Sequence, residues 1–287
     1  MKTENKVLAC VDQSRFADHV ADYAAWAAAR MQAPLEFLHV IDRHPEIASG
    51  ADHSGAIGVD AQENLLAQLS AEEEIRTKAA REQGRLFLNA LRQRAAAAGA
   101  EPVDTRQRYG NLEETLAGQE HDVRLLVLGR RGEAAEADNR AIGGNVERLV
   151  RALHKPILTV SSDFSAPQRV MIAFDGGAVA RRGIETVAAS PLLRGLPLHL
   201  LMSGRESREA GHQLESAKAT LEAAAFEVSA ETIAGDAETV IAETVRDRAI
   251  DLLIMGAYSH SPLRTWLFGS KTSDLLRSAT IPTLLLR

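Results

Sequence analysis

The chain has 287 residues and a net charge of −6, with 45% apolar and 25% charged residues. That length allows one large or two ordinary domains, each able to bury a core without staples. The acidic balance argues against general nucleic-acid binding, the single cysteine excludes an intrachain disulfide framework and a CxxC metal site, and no apolar run reaches the ~20 residues of a membrane span. Met1 to Lys6 lack the apolar core of a signal peptide, so a cytoplasmic location is expected.

In chain order, Lys6 to Val11 is a short apolar run ended by Asp12, which reads as a buried strand with Cys10 as a core side chain. Phe16, Val20, Ala24, Ala27 and Met31 follow at helical spacing. Pro34 to Ile41 is a second strand. An irregular Gly/Pro segment from Asp42 to about Val59 leads into a long helical stretch to about Ala98, with Gly99 as its stop. Within that stretch, Ser70 and Glu73 have the spacing of a capping box, and Glu72 to Glu74 read as a solvated first turn. Leu65, Leu66 and Leu69 read as a core or partner face. Pro102 to Arg108 is a strand, a helix starts near Gly110, and Val123 to Leu128 is a strand ending at Gly129. A helix then runs from Gly143 to about Leu153, and Pro156 to Val160 is a closing strand.

The order then repeats. Val170 to Asp175 parallels Val7 to Asp12, Pro197 to Met202 parallels Pro34 to His39, and Gly235 to Glu238 parallels Gly110 to Glu113. Leu252 to Gly256 parallels Leu125 to Gly129, and Ile281 to Leu284 parallels Lys155 to Leu158. Asp12 and Asp175, like Pro34 and Pro197, are 163 residues apart, whereas Gly110 and Gly235 are 125 apart. The first half therefore carries about 38 extra residues between its second and third strands. Strands alternating with helices make a parallel sheet covered on both faces. The expected fold is α/β, two tandem doubly wound five-stranded parallel-sheet (Rossmann-like) domains. Residues 1–163, with an inserted segment at about 43–80, form the first and residues 164–287 the second.

The last segment carries the most chemistry. Met255-Gly256 ends a strand, a polar turn follows, and Gly269-Ser270-Lys271-Thr272 precedes the amphipathic run Ser273 to Thr280. A strand end and a helix start, both marked by Gly, make a phosphate cradle, because helix N-termini offer free N–H groups and a positive dipole end. Gly269-Ser270 reads equally well as a plain helix cap. The segment is not a P-loop, which needs Gly next to Lys and another Gly five positions earlier. No Gly-x-Gly-x-x-Gly follows either first strand. His44 and His53 fit no closed zinc spacing and read as loop residues.

The pattern Gly256, two residues, Ser259, nine residues, Gly269-Ser270 resembles the nucleotide-binding signature of the universal stress proteins, with Ser259 in place of the second glycine. The tandem organisation resembles that family's two-domain subclass over almost the whole chain. The resemblance implies an ATP or related adenine-nucleotide site, with or without Mg2+, at Asp175, Met255, Gly256, Gly269, Ser270, Lys271 and Thr272. It implies a second site in the first half, where Gly129, two residues, Gly132, ten residues, Gly143-Gly144 stand. Its residues are Asp12, Val40, Leu128, Gly129, Arg130, Gly132, Gly143, Gly144 and Asn145. Gly144 replaces the expected hydroxyl residue, and Arg130 and Arg131 add positive charge.

The implied function is stress-response regulation through nucleotide state, in a homodimer with an unidentified protein partner. The alternatives are a scaffold of the same fold that holds no nucleotide, and a slow ATP hydrolase. No general base or metal constellation stands out in the sequence, so catalysis is not expected beyond weak ATPase activity. The resemblance also places the closing strands Ile157 to Val160 and Thr283 to Leu286 at the contact between the halves.

Overall fold

The structure, a computed structural model, describes residues 6–41, 59–130, 144–161, 163–257 and 280–287. The first half runs β1 (Lys6–Cys10), α1 (Ala17–Met31), β2 (Leu35–Ile41), α2 (Val59–Ala97), β3 (Val103–Tyr109), α3 (Leu112–Ala117), β4 (Val123–Gly129), α4 (Gly144–Ala152) and β5 (Ile157–Val160). The second runs β6 (Val170–Ala173), α5 (Ala178–Ala189), β7 (Leu198–Ser203), α6 (Arg208–Ala223), β8 (Val228–Ile233), α7 (Ala237–Asp247), β9 (Leu252–Gly256) and β10 (Thr283–Leu286). The expected amphipathic run from Ser273 to Thr280 lies almost wholly outside the described residues.

Among the described residues, ten strands form one sheet in the order β3-β2-β1-β4-β5-β10-β9-β6-β7-β8. Each half has the spatial order 3-2-1-4-5, so its chain direction across the sheet reverses between its first and fourth strands. Every pairing is parallel except that of β5 with β10, where Thr159, Leu158 and Ile157 oppose Thr283, Leu284 and Leu285. The closing strands thus meet edge to edge, as expected, and two edges that would otherwise be open seal each other.

The strands read as apolar runs because both faces are covered. Val7, Ala9, Leu35, Phe37, Leu125 and Val127 face α1 and α2, while Leu8, Leu38, Leu126 and Leu128 join Leu116 of α3 and Leu149 of α4. Both apolar layers continue across the seam, one through Leu158, Leu284 and Leu286, the other through Ile157 and Leu285. Burying a Leu or Phe side chain contributes about 1.5–3 kcal/mol each, which makes these layers the main source of stability. The sheet-facing stripe of α1 is mostly alanine (Ala21, Ala24, Ala25, Ala27 and Ala28), which favours helix and lets it lie close to the strands.

Helix α1 also braces the second half. The guanidinium of Arg30 donates to the carbonyls of Leu192 and Arg194, in and after a single 3₁₀ turn at Pro191–Leu193. The buried Tyr23 ring stacks edge-on against Phe164, at 4.9 Å between centroids. Its hydroxyl lies 3.4 Å from the carbonyls of Asp163 and Ser165 in the connecting segment.

The extra length of the first half is mostly helix. Helix α2 has 39 residues against 16 for α6, and at 1.5 Å per residue it is about 58 Å long. It runs unbroken through Ser70, so the expected capping box at Ser70–Glu73 does not start a helix and Glu72 to Glu74 are not a first turn. The stretch is rich in Ala, Glu, Gln, Arg and Leu and contains no Pro, so nothing local stops propagation. In its C-terminal part Leu88, Leu91 and Ala95 are buried, whereas Ile75 and Leu86 are exposed. Gly84 marks a close crossing, since a Cβ there would stand 2.6 Å from Nε2 of Gln107 on β3. The helix ends as expected, with Gly99 at φ +86°.

Candidate functional site

Ligands of doubly wound sheets bind beyond the carboxyl ends of the strands where the order reverses. Here those places lie between β1 and β4 and between β6 and β9. At the first, Cys10 pairs with Leu128, which sets Val11 level with Gly129 and brings Asp12 out one residue beyond. At the second, Ala173 pairs with Met255, which sets Phe174 level with Gly256 and brings Asp175 out one residue beyond. Hydrogen bonds repeat with the topology. Val11 N–H donates to Leu38 and Phe174 N–H to Leu201, while Arg130 N–H donates to Val160 and Ala257 N–H to Leu286, the last two at 2.7 Å.

The two aspartates build the same local turn. Asp12 Oδ1 accepts from Ser14 N–H at 3.2 Å, and Asp175 Oδ1 accepts from Gly177 N–H at 2.8 Å. A short acidic side chain bonding two residues ahead turns the chain from the strand into the helix above it. In the second half the turn needs glycine. Gly176 has φ +72°, and a Cβ on Gly177 would lie 2.9 Å from Asp175 Oδ1. Asp175 is exposed at the mouth of the crevice, while Asp12 is partly covered.

Gly256 lies where the first turn of α5 crosses the end of β9. A Cβ on Gly256 would stand 3.3 Å from Val179 Cγ1. Met255 and Leu128 are core residues, 5% and 4% exposed, so their part at a site is to carry the strand end rather than to offer a side chain. Val40 is half-buried near the end of β2, against the layer that holds Leu8 and Leu38. Gly129 closes β4, and Arg130 just beyond it is only 7% exposed. Gly144 and Asn145 open α4, as the expected helix start requires. Gly132, Gly143, Ser259, Gly269, Ser270, Lys271 and Thr272 lie outside the described residues, as do His44, His53 and His260.

Sequence reasoning missed a brace beside Asp12. His39 is buried on β2, its Nδ1–H donates to the Val11 carbonyl at 2.9 Å, and its ring stands edge-on to Phe87. It fixes the peptide just before the Asp12 turn. The visible signal was a histidine inside an apolar strand.

Two further buried polar sets went unread, both at the amino ends of strands and so away from the crevices. Glu36 on β2 is held by Lys6 at 2.9 Å and Arg106 at 3.1 Å. His199 on β7 bonds Ser229 through Nδ1 at 2.8 Å and Glu231 through Nε2 at 2.9 Å, and Arg248 reaches Glu231 at 2.7 Å. Burial and the Arg248 charge hold the His199 imidazole below its ordinary pKa, against the opposing pull of Glu231. Burial, reinforced by Glu36, pushes the Cys10 thiol up to about 12, which makes it an unreactive core group. Among the described residues no three His, Cys, Asp or Glu side chains are grouped to hold a metal, and no helix is long and apolar enough to cross a membrane.

The family model described as the universal stress protein family matches residues 4–161 and 201–287. Universal stress protein Slr1230 of Synechocystis sp. is 34% identical over 284 residues, covering 98% of this chain and 99% of its own. A universal stress protein from Archaeoglobus fulgidus DSM 4304 superposes with a TM-score of 0.70 at 16% identity, over 99% of this chain and 97% of its own. A putative universal stress protein from Pseudomonas aeruginosa UCBPP-PA14 does so with 0.61 at 15% identity, over 98% and 92%.

Proposed function

Because the chain belongs to the universal stress protein family, we propose that it binds ATP or a related adenine nucleotide, chiefly in its C-terminal half, and that nucleotide state regulates its assembly or partner binding in the stress response. Residues 1–163 and 164–287 are its two domains in this reading. The observation that carries it is the register of β6 with β9, which brings Asp175 out one residue beyond Gly256 at neighbouring strand ends of the β6–β9 crevice. Asp175 is exposed there and offers its carboxylate to the adenosine part. The phosphates would reach Gly269, Ser270, Lys271 and Thr272, with Mg2+ as their counterion if one is bound. The first half repeats the geometry at Asp12, Val40, Leu128, Gly129 and Arg130, with Gly132, Gly143, Gly144 and Asn145 completing its phosphate loop.

The chain works in the cytoplasm as a homodimer in this proposal and turns nucleotide over slowly or not at all. A second reading, a scaffold that holds no nucleotide, draws on Gly144, which opens α4 without the hydroxyl of the family pattern. Titration calorimetry with ATP tests the proposal. Wild type binds, Asp175→Asn keeps the turn but loses the charge, and Asp175→Ala loses both. The proposal expects about a tenfold or greater loss of affinity in Asp175→Ala. No heat of binding in the wild-type chain would favour the scaffold.

A further inference from the structure

The two halves fill the space between their first two helices differently. In the first, Arg94 of α2 spans the gap to α1, with Nε 2.6 Å from Asp22 and Nη1 3.2 Å from Asp18. The buried stripe Leu88, Leu91, Ala95 of α2 corresponds to Leu214, Ala217, Leu221 of α6, and Val20, Ala21, Ala24 of α1 to Gly183, Ile184, Val187 of α5. On that correspondence Arg94 becomes Thr220, Asp18 becomes Arg181 and Glu82 becomes Arg208, while Asp22 stays acidic as Glu185. The bridging cation has gone, and two acids have become two bases.

The result is a cleft of about 640 Å³ between α5 and α6, lined by Phe174, Ile184 and Ala217 and by Arg181 and Arg208. Its volume is that of a small-molecule site. Phe174, Ile184 and Ala217 are buried, while both arginines are exposed. Arg181 is preset, since its Nη1 donates to the Gly176 carbonyl at 2.6 Å.

We propose that this cleft binds an amphiphilic organic anion, its apolar body against Phe174, Ile184 and Ala217 and its head group at Arg181 and Arg208. Glu185 and Glu209 also line the cleft, and Glu209 accepts from Gln213 at 3.4 Å. These carboxylates oppose a polyphosphate and favour a singly charged head such as a carboxylate. The cleft adjoins the Asp175 turn through Phe174 and the Arg181 bond to the Gly176 carbonyl, but the inference does not depend on the nucleotide reading.

The test uses the full chain, with 8-anilinonaphthalene-1-sulfonate fluorescence as reporter and decanoate as competitor. Two variants, Arg208→Glu and Thr220→Arg, are checked for unchanged thermal unfolding. The first inverts the head-group charge, and the second puts back the side chain that fills the first half's gap. Decanoate should displace the reporter from wild type, decyltrimethylammonium should not, and each variant should weaken decanoate by about tenfold or more. Absence of decanoate binding, equal competition by the cationic amphiphile, or undiminished affinity in either variant overturns the proposal. Displacement by ATP would assign the cleft to the nucleotide site and overturn it as well.

Discussion

The hydroxyl of Thr159 donates to the carbonyl of Thr283 across 3.1 Å at the seam between the halves, where both residues are 1% exposed. The two threonines face each other in the antiparallel register of β5 and β10. Thr159→Val keeps the shape and deletes the donor. It should cost about 1 kcal/mol, the usual net value of such a bond. Urea unfolding checks this, and an unchanged midpoint would mean that the seam is held by packing alone.

Arg287, the last residue, makes a second tie. Its Nη1 donates to the carbonyls of Arg151 at 2.7 Å and Leu153 at 2.8 Å, capping the end of α4 in the other half. A cation at a helix C-terminus is favoured by the dipole and by the unpaired carbonyls. Arg287→Ala should destabilise by about 1 kcal/mol, and Arg287→Lys should recover only part of that. Thermal unfolding of both variants reads the difference.

His199 links stability to pH. Its folded pKa lies below its ordinary value of 6.5. The unfolded chain therefore binds the proton first as pH falls. The contribution is full above about 6.5 and is lost as pH drops through the lowered folded value. The stability advantage of wild type over His199→Gln should shrink between pH 7.5 and pH 5, measured by denaturant midpoints. A pH-independent difference would contradict the buried neutral imidazole.

Cys10 should resist modification. With its thiol pushed up to about 12, almost none is thiolate at pH 8. Ellman's reagent should find no thiol in the native chain and one per chain after denaturation. Fast labelling of the native chain would show that the β1 core opens.

These features were unequally legible in the sequence. Strand positions and the Asp12/Asp175 repeat could be read because apolar runs end at Asp or Gly in both halves, with Asp12 and Asp175, like Pro34 and Pro197, 163 residues apart. The meeting of β5 with β10 came from the family resemblance, since strand order is set by long-range packing rather than by local pattern. Helix α2 was misread at Ser70 because a capping-box spacing inside a strong helix former starts nothing when the chain before it is already helical. Glu36, His39 and His199 were passed over although each interrupts an apolar strand, because their partners come from neighbouring strands or distant chain. The α5/α6 cleft was invisible for a different reason. The exchange of Arg94 for Thr220 appears only after α2 and α6 are aligned on their buried faces, at an offset of 126 residues against 125 for Gly110 and Gly235.

The central claim is a nucleotide held by the C-terminal half. The most direct measurement is to denature the purified chain, release what is bound and identify it by chromatography and mass, beside a Gly269→Val control. The account predicts ATP or a related adenine nucleotide near one per chain, lost in the control. No nucleotide in the wild-type chain, together with no uptake when ATP is added back, would contradict it.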